Sequence, residues 1–188
     1  MEPGTLEKNI PPDAKERMEE IKKKLEKYKD SLVKKFGKYI MGLALLPPPK
    51  PEEGKKPDKD KIHVLVLVDD SDSMRLSKAE LKDKLDRSIK KVASEHDKNL
   101  VVQTLILTEL WQSCYDSKYD ILQLIALSAP VYDKGMLSAV KITEVHKTMV
   151  LKKFEKYIVS YVLSGSLVRG EATELSDIDV MVIIRSEE

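Results

Sequence analysis

The stretch Gly165-Ser166-Leu167-Val168-Arg169-Gly170, followed by Ser176-Asp177-Ile178-Asp179-Val180 and an apolar run to Ile184, decides how the rest of the chain is read. A Gly-Ser turn closes one strand, and two carboxylates alternate at the start of the next. Residues two apart on a strand point to the same face, so Asp177 and Asp179 can converge on one or two divalent cations while Ile178 and Val180 point inward. Such a pair of hard oxygen ligands suits Mg²⁺ or Mn²⁺, which would in turn hold a nucleoside triphosphate. The turn complements that role. Gly165 lets the backbone approach a phosphate, Ser166 offers a hydroxyl and an amide, and a helix over 167–172 would aim its positive end at the same anion.

These residues resemble the nucleotidyltransferase superfamily of DNA polymerase beta, in particular its small archaeal and bacterial members. The resemblance rests on Gly165, Ser166, Arg169, Gly170, Ser176, Asp177 and Asp179, which follow the family pattern of Gly-Ser, then Arg-Gly, then Ser-Asp-x-Asp on a strand. It implies that Asp177 and Asp179 ligate Mg²⁺ (or Mn²⁺) and that Gly165 and Ser166 hold the β- and γ-phosphates of a nucleoside triphosphate such as ATP, with Arg169 as a further phosphate contact. It also implies the reaction, in which a hydroxyl attacks the α-phosphate and pyrophosphate leaves. The family carries its third carboxylate on a later strand, beyond the end of this sequence. The chain therefore reads as a fragment that stops within the fold, and is expected to be inactive alone.

What precedes the motif looks like a worn copy of it. Lys34-Lys35-Phe36-Gly37-Lys38-Tyr39-Ile40 and Lys152-Lys153-Phe154-Glu155-Lys156-Tyr157-Ile158 agree at six of seven positions, at a constant offset of 118 residues. Each ends a helix-patterned stretch and runs into an apolar strand, 41–46 in the first and 159–163 in the second. On this spacing Gly165 and Ser166 fall opposite Pro47 and Pro48, which remove a backbone donor and fix φ. If the following loop, 47–61, is two residues longer than its counterpart, Lys61 and His63 replace Asp177 and Asp179. A lysine cannot coordinate Mg²⁺ there and imidazole is a poor substitute, so the first copy should be catalytically dead.

The first copy continues where the second stops. Apolar positions at Leu76, Ala79, Leu81, Leu85, Ile89 and Val92 predict a helix, with Ser77 as N-cap and Glu80 completing a capping box. Leu100 to Leu107 reads as a strand whose interior offers only Gln103 and Thr104, and Asp120 to Leu127 as a helix. The segment 129–135 resembles the one that commonly closes the family core. The expected organisation is a degenerate domain over 1–135 with a flexible loop at 47–61, and the N-terminal part of a second domain over 136–188. The fold class is α/β (α+β): a nucleotidyltransferase-like mixed sheet flanked by helices, as a tandem repeat with a truncated second unit.

Composition narrows the partners. Thirty-three Lys and Arg nearly cancel 32 Asp and Glu, for a formal net charge of +1, which argues against bulk electrostatic binding of nucleic acid. The Lys/Glu alternation of 13–35 reads as a solvated helix face. A single cysteine and the lack of a membrane-spanning apolar run or a signal-peptide core point to a reducing cytoplasm and no membrane. His63, His96 and His146 show no zinc-ligand spacing. The acceptor hydroxyl, whether of protein, RNA or a small molecule, is not encoded in the core motif. Two other readings stand beside the enzyme. One is a non-catalytic binding module, with the first domain as a homodimer contact or regulatory partner. The other is a von Willebrand factor A-like metal-dependent adhesion domain, suggested by Asp69-x-Ser71-x-Ser73 after an apolar strand, against an acidic turn that merely caps the next helix.

Overall fold

The computed structural model describes residues 12–49, 60–73, 77–116, 118–166, 168 and 176–186. Helix α1 (Pro12–Phe36) and a 3-10 turn (Gly37–Tyr39) lead into strand β1 (Ile40–Leu45), followed by β2 (Ile62–Val68), α2 (Lys78–His96) and β3 (Leu100–Ile106). Helices α3 (Leu107–Tyr115) and α4 (Asp120–Leu127) precede β4 (Ala129–Asp133), then α5 (Met136–Phe154), β5 (Ile158–Ser164) and β6 (Asp179–Ile184). The strands form a four-stranded sheet in the order β3-β2-β1-β4 and a two-stranded sheet of β5 with β6. β1 is antiparallel to both β2 and β4, while β2 and β3 are parallel across α2. This is the mixed α/β sheet flanked by helices that the sequence predicts.

Strand β2 is central because both of its faces are apolar. Ile62, Val64, Val66 and Val68 enter one core with Leu25, Tyr28 and Leu32 of α1 and Ile89, Val92 and Ala93 of α2. Leu65 and Leu67 enter the opposite core with Leu110, Leu122, Ile125 and Met136, Leu137 and Val140 of α5. A strand buried on both sides reads as a continuous apolar run rather than an alternation. The stripe Leu25, Tyr28, Leu32 has the spacing that puts three side chains on one helix face. Burial pushes the Tyr28 phenol well above its ordinary range, because the ionised form would be desolvated.

Local signals set the helix ends. The Ser77 hydroxyl accepts from the Glu80 amide, and the Glu80 carboxylate accepts from the Ser77 amide, completing the capping box at the start of α2. The start of α5 is held differently. The Asp133 carboxylate, at the end of β4, accepts from the amides of Gly135, Leu137 and Ser138 at 2.8–3.0 Å. Helix α3 has no counterpart in the sequence reading. It follows β3 without a loop, and the buried Asp70 carboxylate accepts from the Thr108 amide at 2.9 Å in its first turn.

The two antiparallel pairs share a register. Ile40 lies opposite Val68 and Ile158 opposite Ile184; Gly42, Leu43, Ala44 and Leu45 face Leu67, Val66, Leu65 and Val64, as Ser160, Tyr161, Val162 and Leu163 face Ile183, Val182, Met181 and Val180. The irregularity falls at the same place, between Ile40 and Gly42 and between Ile158 and Ser160. The closing hydrogen bonds also correspond: the Asp69 amide donates to the Tyr39 carbonyl at 2.8 Å, and the Arg185 amide to the Tyr157 carbonyl at 2.7 Å. Beyond β6 the pairs differ. β2 continues into α2 and β3, whereas no strand among the described residues pairs with the free edge of β6, and Val159, Met181, Ile183 and Ile184 are exposed.

Candidate functional site

The Gly165-Ser166 turn leaves β5 immediately after Ser164, whose strand partner is Asp179. The Ser164 hydroxyl also donates to the Asp179 carbonyl at 3.4 Å. β-Pairing alone therefore brings the turn beside the second carboxylate. Gly165 adopts φ +80°, a left-handed conformation that side chains disfavour. A Cβ placed there would lie 1.9 Å from Oδ2 of Asp179, 2.8 Å from its Cγ and 3.1 Å from its Cβ. The Asp179 carboxylate thus rests directly against the bare Cα of Gly165.

Alternation along β6 separates the site from the core. Ile178 packs against the second core with Leu163, and Val180 and Val182 are half-buried, whereas Asp177 and Asp179 are exposed. Neither carboxylate has an ion-pair partner among the described residues. No group of three or more His, Cys, Asp or Glu side chains converges among the described residues. Arg169 and the helix expected over 167–172 lie outside the described residues apart from Val168, so the site is described here by Gly165, Ser166, Asp177 and Asp179.

The corresponding end of the first strand pair keeps the cross-strand pairing but carries different chemistry and a different turn. The Leu46 amide donates to the His63 carbonyl at 2.8 Å, which places His63 across from Leu46 as Asp179 lies across from Ser164. Pro47 then stands where Gly165 stands in the second pair.

The acidic turn after β2 is occupied by structural bonds. The Asp69 carboxylate accepts from the Ser71 amide at 2.9 Å, Asp72 pairs with Lys38 at 2.9 Å, and Asp70 holds the start of α3. The turn does cap a helix, but through Asp70 it is α3, while α2 is capped by Ser77. A side-chain cluster that the sequence reading did not identify lies between α3, α4, α5 and β5. It includes Trp111, Thr143, Glu144, Lys147 and Tyr161. These residues are scattered over fifty positions, and only the packing of α5 brings them together.

Among the described residues no helix is long and apolar enough to cross a membrane. No curated protein and no solved structure matches the chain. Residues 145–188, which hold the C-terminal half of α5, both strands of the second pair and the Gly-Ser turn, match the family model described as a nucleotidyltransferase domain. The match covers the residues on which the site was built, and supports a general role in nucleotidyl transfer for a segment similar to the nucleotidyltransferase superfamily.

Proposed function

We propose that the segment from α5 onward transfers a nucleotidyl group from a nucleoside triphosphate to a hydroxyl acceptor with the help of Mg²⁺. The observation that carries this reading is the seating of the Asp179 carboxylate against Gly165, which joins a phosphate-type turn to a metal-type carboxylate. The donor set fits the ion. Two solvent-facing carboxylates, spaced for one strand face, are hard oxygen ligands of the kind Mg²⁺ and Mn²⁺ take. When bound, the metal would neutralise phosphate charge and draw attacking and leaving oxygens into line. Asp177 and Asp179 would hold it. The Gly165 and Ser166 amides and the Ser166 hydroxyl would bind the β- and γ-phosphates, and Arg169 would add a guanidinium. The acceptor is a hydroxyl of protein, RNA or a small molecule, and a reducing cytoplasm is the proposed compartment.

The first strand pair is proposed to be a degenerate copy. Its support is the shared register, the shared irregularity and the matching closing hydrogen bonds, together with the six-of-seven sequence match. Lys61 and His63 in place of two aspartates, and Pro47-Pro48 in place of Gly-Ser, leave that copy without metal ligands or a phosphate turn. Its role would then be that of a scaffold, with self-association into a homodimer as one use.

Calorimetric titration with each Mg²⁺-nucleoside triphosphate tests both statements. D177N with D179N should weaken binding at least tenfold with little loss of folding, since exposed like charges repel one another in the free protein. K61A with H63A should leave binding unchanged. Unaltered affinity in the aspartate double variant would remove the site assignment, and a loss in the Lys61/His63 variant would reinstate the first copy as a ligand site.

A further inference from the structure

A cavity of about 240 Å³ opens outside the carboxyl end of β2, where the chain leaves the sheet for α2 and returns as the parallel strand β3. In open α/β sheets such a crevice is the common place for a ligand. Its floor is apolar: Phe36 ends α1, Tyr39 lies in the 3-10 turn, Val68 ends β2, and Leu81 and Leu85 belong to α2. Backbone bonding fixes one wall to another, since the Asp69 amide donates to the Tyr39 carbonyl at 2.8 Å. At a rise of about 3.3 Å per residue, Asp69 stands about 20 Å along the strand from His63, so the cavity is separate from the end of β2 that corresponds to the paired aspartates of β6.

The rim is acidic. Asp69, Asp70 and Asp72 all line the cavity, and each commits only one carboxylate oxygen to the protein. Asp69 Oδ1 accepts from the Ser71 amide, Asp70 Oδ1 from the Thr108 amide, and Asp72 Oδ2 pairs with Lys38. The second oxygen of each has no donor among the described residues, and none of the three is sealed from solvent. Asp70 decides the chemistry, because its side chain is only 9% exposed and still keeps an oxygen without a donor. A carboxylate drawn that far out of water favours a positive, hydrogen-bonding neighbour. The rim already stabilises one cation: Asp72, and to a lesser degree Asp69, hold the Lys38 ammonium above its ordinary range, and that ammonium lies 5.2 Å from the centre of the Tyr39 ring. One ammonium against three carboxylates leaves a surplus of negative charge. The three do not converge as a metal ion requires, but stand around an apolar floor. We propose that this cavity binds a small organic cation, an ammonium or guanidinium head on an apolar body, with the head held by Asp69 and Asp70 and the body against Phe36, Leu81 and Leu85. The site shares no residue with the proposed transfer centre and stands independently of that reading.

The 188-residue protein would be titrated separately with phenethylamine, n-butylguanidine and the uncharged phenethyl alcohol, by calorimetry and by following backbone amide resonances. At least one of the two cations should bind saturably and shift the amides of 68–73 and α2. It should bind about fivefold or more tightly than the alcohol at low salt, with the gap closing as salt rises. D69N combined with D72N should weaken the cation about fivefold or more, the scale of an exposed charge pair, and leave the alcohol unaffected. Asparagine keeps a side-chain carbonyl for the Ser71 amide, so the turn itself is retained. Three results would each overturn the proposal: no saturable binding of either cation, equal affinity for the alcohol, or an affinity undiminished in the double variant. Shifts confined to other parts of the chain would do the same.

Discussion

Replacing Gly165 with alanine should uncouple stability from metal binding, and Gly37 supplies the control. Both glycines have positive φ, +55° at Gly37 and +80° at Gly165, so an alanine at either carries the left-handed backbone cost of about 1–2 kcal/mol. Their surroundings differ. A Cβ at Gly37 meets nothing within 4 Å, whereas one at Gly165 comes within 1.9 Å of Asp179 Oδ2 and 2.8 Å of its Cγ. The carboxylate is exposed and can swing aside, which relieves the closest overlap at little further cost in stability. Asp179 Cβ, at 3.1 Å, needs only a few tenths of an ångström. The expected pattern is therefore two variants with similar losses in urea-unfolding free energy, of which only G165A loses divalent affinity, by tenfold or more. Mn²⁺ titration followed by paramagnetic broadening of β5 and β6 amides would read the second quantity. If G165A keeps wild-type Mn²⁺ affinity, or G37A loses it to the same degree, the Asp179 carboxylate is not a ligand held in place by Gly165.

Two further perturbations probe what positions these units. D133A removes three backbone hydrogen bonds from the start of α5 and should cost about 1–2 kcal/mol in chemical unfolding, with D133N recovering part of the loss; no destabilisation in either would mean the cap is redundant. The Lys24 ammonium, 2.8 Å away, together with the Asn99 amide, holds the Asp97 carboxyl below its ordinary range. A depressed folded-state pKa contributes stability that is present above the ordinary carboxylate range and lost as pH falls through the folded value. D97N should accordingly lower the urea midpoint slightly at neutral pH, and the difference from wild type should begin to shrink as pH falls through the ordinary carboxylate range and vanish only below the depressed folded value. A difference that persists unchanged at pH 2 would assign the effect to packing.

Much of the architecture was legible because single elements carried strong local signals. The capping box at Ser77 and Glu80 and the unbroken apolar run of β2 each need only a few neighbouring residues to be recognised, whereas the buried Leu25-Tyr28-Leu32 stripe was hidden among the Lys/Glu alternation of 13–35. Helix α3 was missed for the opposite reason. Its start is held by Asp70, 38 residues earlier, and it follows β3 directly, with no turn residue to announce a boundary. The Asp133 cap was likewise invisible as a cap, since its carboxylate reaches forward from a strand past Lys134 and Gly135. In the candidate site, the spacing of Asp177 and Asp179 across Ile178 fixed which face each occupies. The contact of Asp179 with Gly165 required knowing the register between β5 and β6, which no local pattern states.

That register is also the stronger argument for duplication. Six matches in seven residues concern a helix end and a strand entrance, whereas the pairing shares five corresponding opposed positions and an irregularity at the same step. A slip of one residue would turn every side chain of a strand to the other face, so a register under a buried core is held tightly. The site at the end of the ladder is not held in that way. His63 keeps the backbone position across from Leu46 that Asp179 keeps across from Ser164, because the hydrogen bonds there are made by main-chain groups that do not depend on side-chain identity. On the proposed reading, Lys61 and His63 in place of two aspartates, and Pro47-Pro48 in place of Gly-Ser, would remove ligands without disturbing a pair in the ladder. A strand pair can thus lose its chemistry and keep its geometry. On the proposed reading, the first copy can serve as a packed scaffold while the second carries the exposed carboxylates.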